Sequence, residues 1–215
     1  MSFGLCGVIL AAGASSRMGR DKALLPWPPS QASQPAPVAG TILSTAIHTL
    51  SQFSDLVIVV AGGNQAALSP VVYGGGAFLV RNPSPERGQF SSLQTGLQEV
   101  LNRGRDNALI TLVDRPPPAE QTLRQLVEAF AARNYSIWAV VPEYQGKHGH
   151  PILVGREMIE AFLRAPATAT AREVEHAHQG RIQYIATSDP LVTANLDTPE
   201  DYASLQAGIG ERKLR

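Results

Sequence analysis

The segment Leu10-Ala11-Ala12-Gly13-Ala14-Ser15-Ser16-Arg17-Met18-Gly19-Arg20-Asp21-Lys22 gathers small residues, two glycines and three cations directly after an apolar run. Small residues let backbone N–H groups come close to phosphate oxygens, and open α/β sheets bind ligands at the carboxyl ends of their strands. Arg17 has the planar fork for a bidentate phosphate contact, and Lys22 adds a point charge. Such charges would stabilise a triphosphate while its α-phosphorus is attacked. The stretch has neither the Gly-Lys-Ser/Thr of a P-loop nor the three glycines of a dinucleotide fingerprint. On composition alone, a surface turn with solvated charges stands beside the phosphate reading.

Two carboxylates lie far from this loop in sequence. Asp114 follows the apolar run Ala108–Val113, and Asp197 precedes Thr198-Pro199. Each is either a turn or cap aspartate or a ligand carboxylate at the edge of a crevice. Asn82, Ser91 and Ser92 offer the donors and acceptors a base edge needs, though the serines also suit a helix start. Arg115 is either an anion contact or a solvated charge, and His150 either a ligand contact or a structural histidine. His176 and His178 do not share a helix face and read as solvated. No Ser/His/Asp set occurs at recognisable spacing, and Cys6 lies inside an apolar run, so no covalent intermediate is expected. Catalysis would rest on positioning and charge screening.

The elements that must position these residues alternate. Leu5–Ala11, Leu56–Ala61, Ala77–Val80, Ala108–Val113 and Ile137–Val141 read as strands, mostly with the continuous apolar character of strands buried on both faces. Thr41–Gln52, Gln89–Arg103 and Glu120–Ala132 have apolar residues at helical spacing. This order predicts an α/β fold, a single-domain Rossmann-like mostly parallel sheet with helices on both faces. Later, His150–Val154 and Ile182–Ala186 are strand candidates, while Arg156–Leu163 and Thr170–His178 look helical. Thr198 suits an N-cap and Pro199 the first position of a last helix. Pro28–Ala39, rich in Pro, Ser, Gln and Ala, reads as a mobile surface loop. The domain is expected to span 1–207, with a polar tail over 208–215.

The bulk numbers narrow the classes. The chain has 215 residues, 44% hydrophobic and 17% charged, which fits one globular domain. Net charge is zero and aromatics are 6%, so no overall field or stacking platform invites nucleic acid or an anionic membrane. The apolar runs are too short to span a bilayer, the first residues lack a basic signal-peptide region, and one cysteine makes no internal disulfide. A cytoplasmic protein is the expectation.

Leu-Ala-Ala-Gly-x-Ser-x-Arg-Met-Gly-x-x-Lys resembles the signature of nucleotidyltransferases with a glycosyltransferase-A-type fold. Lys22–Trp27, Asn82-Pro83, Gly88–Leu93 with Gly96-Leu97, Val113–Pro116, Gly149–Pro151 and Leu196–Asp201 resemble one branch, the molybdenum-cofactor nucleotidyltransferases, especially the cytidylyltransferase. The resemblance runs from the first strand to the last helix. It implies transfer of CMP from CTP to molybdopterin, with pyrophosphate released. It implies Arg17, Lys22 and Asp114 as catalytic residues and Asp114 and Asp197 as magnesium ligands. Leu10, Ala11, Ala12, Gly13, Ser15, Arg17, Lys22, Asn82, Ser91 and Ser92 would hold the nucleotide, and Arg115 and His150 the acceptor. Ala12 fits the cytidylyl pattern, whereas guanylyl relatives carry glycine there, so CTP is favoured over GTP. Three departures bear on the acceptor: Asn195 stands where an acid is common, Arg115 where glutamine is common, and residues 28–39 replace a short turn. Other phosphorylated acceptors are rivals within enzymes. A catalytically silent protein that delivers cofactor to a molybdoenzyme is a rival of another class.

Overall fold

In the computed structural model, which describes residues 4–13, 18–28 and 40–212, the first apolar run is strand β1, Leu5–Ala11, buried along its whole length. Its side chains alternate between two cores. Leu5, Ile9 and Ala11 point to one, while Cys6, Val8 and Leu10 point to the other. That alternation follows from the two-residue period of a strand and requires cover on both faces.

The cover comes from helices. On the first face lie α1 (Ile42–Ser51), α2 (Gln65–Gly74), α4 (Glu120–Ala131) and the start of α7 (Pro199–Arg212). On the second lie α3 (Gln89–Asn102), α5 (Arg156–Arg164) and α6 (Ala171–Ala177). α3 sits close because Gly96 carries no side chain. A Cβ there would stand 2.9 Å from side-chain atoms of both Val8 and Val60.

The remaining strands are β2 (Leu56–Ala61), β3 (Phe78–Arg81), β4 (Asn107–Leu112), β5 (Ala139–Tyr144), β6 (Lys147–His148), β7 (Ile152–Gly155) and β8 (Ile182–Ala186). The sheet order is β3-β2-β1-β4-β7-β5-β6, with β8 on β5. β1 runs parallel to β2 and β4, in register from Cys6 opposite Leu56 and Ala108.

The sheet is mostly parallel, as the element order predicts. β7 is antiparallel to both β4 and β5. The cause is the short return after β5, which turns at Gln145 and Gly146 with φ of 49° and 75°. A connection that short cannot make the crossover a parallel pair needs. Two elements escape the periodicity reading. β6 is only two residues long, and α2 contains Pro70 and buries only Leu68 and Val72. The last helix starts as its residue types predict. Thr198 Oγ1 accepts from Asp201 N at 3.2 Å, and Asp201 Oδ2 accepts from Asp197 N and Thr198 N.

Of the sequence-predicted features, Ser15, Arg17 and residues 29–39 lie outside the described residues. No described helix is long and apolar enough to cross a membrane.

Candidate active site

The carboxyl ends of β1, β2 and β4 open into a cavity of about 900 Å³. Leu10, Ala12 and Gly13 line it where the chain leaves β1, and Gly19 to Lys22 where the first loop returns. Asn64 enters from the end of β2, Ser92 from the start of α3, Asp114 from the end of β4 and Asp197 from the entry to α7. Lys22, Asp114 and Asp197, distant in sequence, thus face one space.

Lys22 is 7% exposed. It starts a short 3-10 turn capped by Asp21, whose Oδ1 accepts from Ala23 N at 3.0 Å. Its Nζ donates to Asp197 Oδ1 at 2.9 Å. A lysine this buried keeps its charge only beside such a partner.

Asp114 follows β4, and its carbonyl accepts from Leu196 N at 2.8 Å. That bond ties the Asp197 segment to the end of β4. The Asp114 Oδ1 atom is buried with no hydrogen-bond partner among the described residues. A carboxylate oxygen in that condition is costly unless a cation or donor meets it. Two aspartates lining one cavity offer oxygen donors of the kind a hard divalent cation takes, such a cation keeping waters and drawing further ligands from phosphate.

Arg115 is within electrostatic reach of both aspartates and His150 within reach of Arg115, but neither lines the cavity. Arg115 Nη1 donates to the Ala194 carbonyl at 3.2 Å, and its Nε is buried without a partner among the described residues. Burial lowers the guanidinium pKa, against the pull of Asp114 and Asp197. His150 Nδ1 is also buried without a partner among the described residues. Burial first, and Arg115 second, push the imidazole pKa down to about 4, so it is neutral at physiological pH. The His150 N–H donates to the Val192 carbonyl at 2.9 Å. Gly149 makes that approach possible, since a Cβ there would stand 2.4 Å from Val192 O.

Asn82, Ser91 and Ser92 are brought together, facing each other more than the cavity. Asn82 Nδ2 donates to Ser91 Oγ at 2.8 Å and Ser92 Oγ at 2.9 Å, and its Oδ1 accepts from Ser84 N. Ser91 Oγ also reaches the Ser84 and Gly88 carbonyls. The cluster fixes the turn between β3 and α3, and of the three only Ser92 lines the cavity. Ala11 contributes its backbone carbonyl, which accepts from Asn64 Nδ2 at 2.9 Å. Sequence reasoning passed over Asn64. The rule that singled out the loop after β1 applies equally to Gly62-Gly63-Asn64 after β2. Cys6 is fully buried, with its thiol pushed up to about 12 by burial. Of the two histidines read as solvated, His176 is exposed and His178 is half-buried, its ring 5.0 Å from that of Trp138.

Residues 7–182 match the model of the MobA-like NTP transferase domain. The chain belongs to that family. This transferase is 27% identical over 202 residues to the molybdenum cofactor cytidylyltransferase of Escherichia coli, covering 91% of this chain and 92% of that one. It is also 27% identical over 204 residues to a probable molybdenum cofactor guanylyltransferase of Mycobacterium avium, covering 95% and 96%. Among solved structures, Rv0371c of Mycobacterium tuberculosis superposes with a TM-score of 0.75 at 27% identity, over 96% of this chain and 99% of that one. A manganese complex of the same protein gives 0.70 at 25% identity, over 94% and 98%. The NTP transferase described here is therefore a nucleotidyltransferase with the family's mixed α/β fold.

Proposed function

We propose that this enzyme transfers CMP from CTP to molybdopterin, with molybdenum bound, and releases pyrophosphate with magnesium as its cation. The observation that carries the reading is Asp114, which lines one cavity with Asp197 and Lys22 and whose Oδ1 is buried without a hydrogen-bond partner among the described residues. The names of the Escherichia coli and Mycobacterium avium relatives support the acceptor class. The manganese complex of Rv0371c supports a divalent cation.

An acceptor phosphate oxygen attacks the α-phosphorus of CTP. A new P–O bond forms as the bond to the β-phosphate bridging oxygen breaks, and pyrophosphate departs. Held by Asp114 and Asp197, magnesium would screen the charge that repels attacker from target and that grows on the leaving group. Lys22, together with the backbone of the first loop, Ser15 and Arg17, would orient the phosphates. Leu10, Ala11, Ala12 and Gly13, with Asn82, Ser91 and Ser92, would shape the nucleotide pocket. Arg115 supplies a positive charge on the acceptor side, and neutral His150 a hydrogen bond that needs no counter-charge.

Ala12, which lines the cavity, supports CTP, because a methyl group there would crowd a purine more than a pyrimidine. GTP is the second reading, favoured by the guanylyl relative's equal identity. Melting temperature with CTP, GTP and ATP, each with and without magnesium, tests both. At about a hundred times its dissociation constant a ligand adds about 2.7 kcal/mol, a shift of roughly 5–10 °C for this length. A magnesium-dependent shift with CTP alone is expected. The same shift with GTP alone would overturn the reading of Ala12, and no shift with any triphosphate would favour a silent cofactor-delivery protein.

A further inference from the structure

We propose that Asn64 is a positioning residue that ties the end of β1 to the turn carrying Lys22 and so sets where Lys22 meets a triphosphate. The inference rests on the reading of the first loop as the triphosphate site.

Asn64 follows Gly62-Gly63 at the carboxyl end of β2, and its carboxamide is fully used. Nδ2 donates to the Ala11 carbonyl at 2.9 Å and to Asp21 Oδ2 at 2.6 Å. Oδ1 accepts from Gly62 N at 3.1 Å. Ala11 ends β1, where the loop begins. Asp21 is where the loop ends, and its other oxygen caps the turn that carries Lys22. One side chain from the neighbouring strand therefore ties both ends of a loop to which it does not belong. A second observation fixes the distance over which it acts. A Cβ on Gly62 would stand 2.7 Å from the Ala12 carbonyl, so the two chain segments lie in backbone contact.

Only an amide of this length satisfies the three partners. It offers two N–H donors and one acceptor at opposite corners. Aspartate would bring a like charge against Asp21 and donate nothing. Leucine would keep the volume and lose all three bonds. With the tie cut, the loop ends regain freedom that binding must then remove. Both amide hydrogens are spent on the tie, so the effect falls on phosphates and spares the base.

The test measures equilibrium binding of CTP, CMP, GTP and GMP to the full chain and to Asn64→Asp, Asn64→Leu and the double variant Asn64→Asp with Asp21→Asn. Lys22→Ala is the control for the loop itself. Both single Asn64 variants are expected to weaken the preferred triphosphate about tenfold, as for a lost charge-assisted hydrogen bond, while its monophosphate binds nearly as before. The double variant exchanges donor and acceptor between the two side chains, restores the bond at the loop end and recovers the larger part of the loss. With acceptor present, KM for the triphosphate rises more than kcat falls. Equal weakening of triphosphate and monophosphate would overturn the proposal in favour of a direct base contact. A lowered melting temperature with unchanged triphosphate affinity would overturn it in favour of a purely structural residue. Should Asn64→Leu fail to fold, Asn64→Ala asks the same question with the donors removed. Normal triphosphate binding by Lys22→Ala would sink the loop reading and the tie with it. Weak binding by Lys22→Ala beside normal binding by the Asn64 variants would sink the tie alone.

Discussion

Asp114 is the side chain on which the chemistry turns. Asn at this position keeps the size and the backbone bond to Leu196 but removes the charge a cation needs. Asp114→Asn is expected to lower turnover by about 10² or more while the melting temperature holds, because the loss falls on charge stabilisation at the reacting phosphate. Wild-type turnover in that variant would remove Asp114 from the cation site. His150 makes a different prediction. Its pKa is about 4 in the folded chain and near 6.5 when unfolded. Between those values the unfolded state holds the extra proton, so stability falls as pH drops from about 6.5 towards 4. Urea denaturation of His150→Gln across that window should show a shallower pH dependence than wild type. Lys22 could be singled out as a cation of the small-residue loop after β1, whereas Asp114 and Asp197 stood out only through the family resemblance, since each alone reads equally well as a turn or cap aspartate. Asn64 lies where the rule for the carboxyl ends of strands also points, but its hydrogen bonds to Ala11 and Asp21 across two strands could not be read from the sequence. Nor could those of Asn82, whose residue type suits a base edge but whose partners turn out to be Ser84, Ser91 and Ser92.

At the scale of elements, the site depends on how Pro190–Asp197 docks. That segment is held by Leu196 N to Asp114 O, by Arg115 to Ala194 O and by His150 N to Val192 O. Gly149 is the tightest point. Gly149→Ala forces a Cβ into the Val192 carbonyl, so something must move. The expected result is a lower melting temperature, by an overpacking cost of about 1–3 kcal/mol, with a larger proportional loss of turnover as Asp197 shifts. Full turnover with only a stability loss would show that Asp197 is held independently. The strands and helices with strong periodicity, β1, β2, β4, α1, α3 and α4, were legible to within a few residues. β7 was legible as a strand but not in direction, since direction is set by the Gln145-Gly146 turn rather than by hydrophobic pattern. α2 was hidden because Pro70 and a sparse apolar face blur its period.

Across the whole molecule, two cores share one sheet, and neither forms without it. Phe130 on α4 is fully buried in the first core, far from the cavity in sequence and on the opposite end of its helix from Asp114. Phe130→Ala is expected to cost about 3–5 kcal/mol through lost burial and a residual cavity, visible in urea denaturation, with triphosphate affinity per folded molecule unchanged. A change in that affinity would mean that α4 helps shape the site. The last helix is tied back to the beginning of the chain, where Tyr202 Oη donates to the Pro26 carbonyl at 2.6 Å.

The position of β1 in the sheet has a consequence for synthesis. β1 leaves the ribosome before the other strands of the sheet, yet it sits in the middle of that sheet between β2 and β4. Its second neighbour is complete only at Leu112. At translation rates of about 5–20 residues per second, the wait between Ala11 and Leu112 is roughly 5–20 s. Through that interval a wholly apolar strand has an open edge, so the nascent chain is a natural client for chaperones that shield hydrophobic segments, and its yield should depend on how quickly β4 is translated.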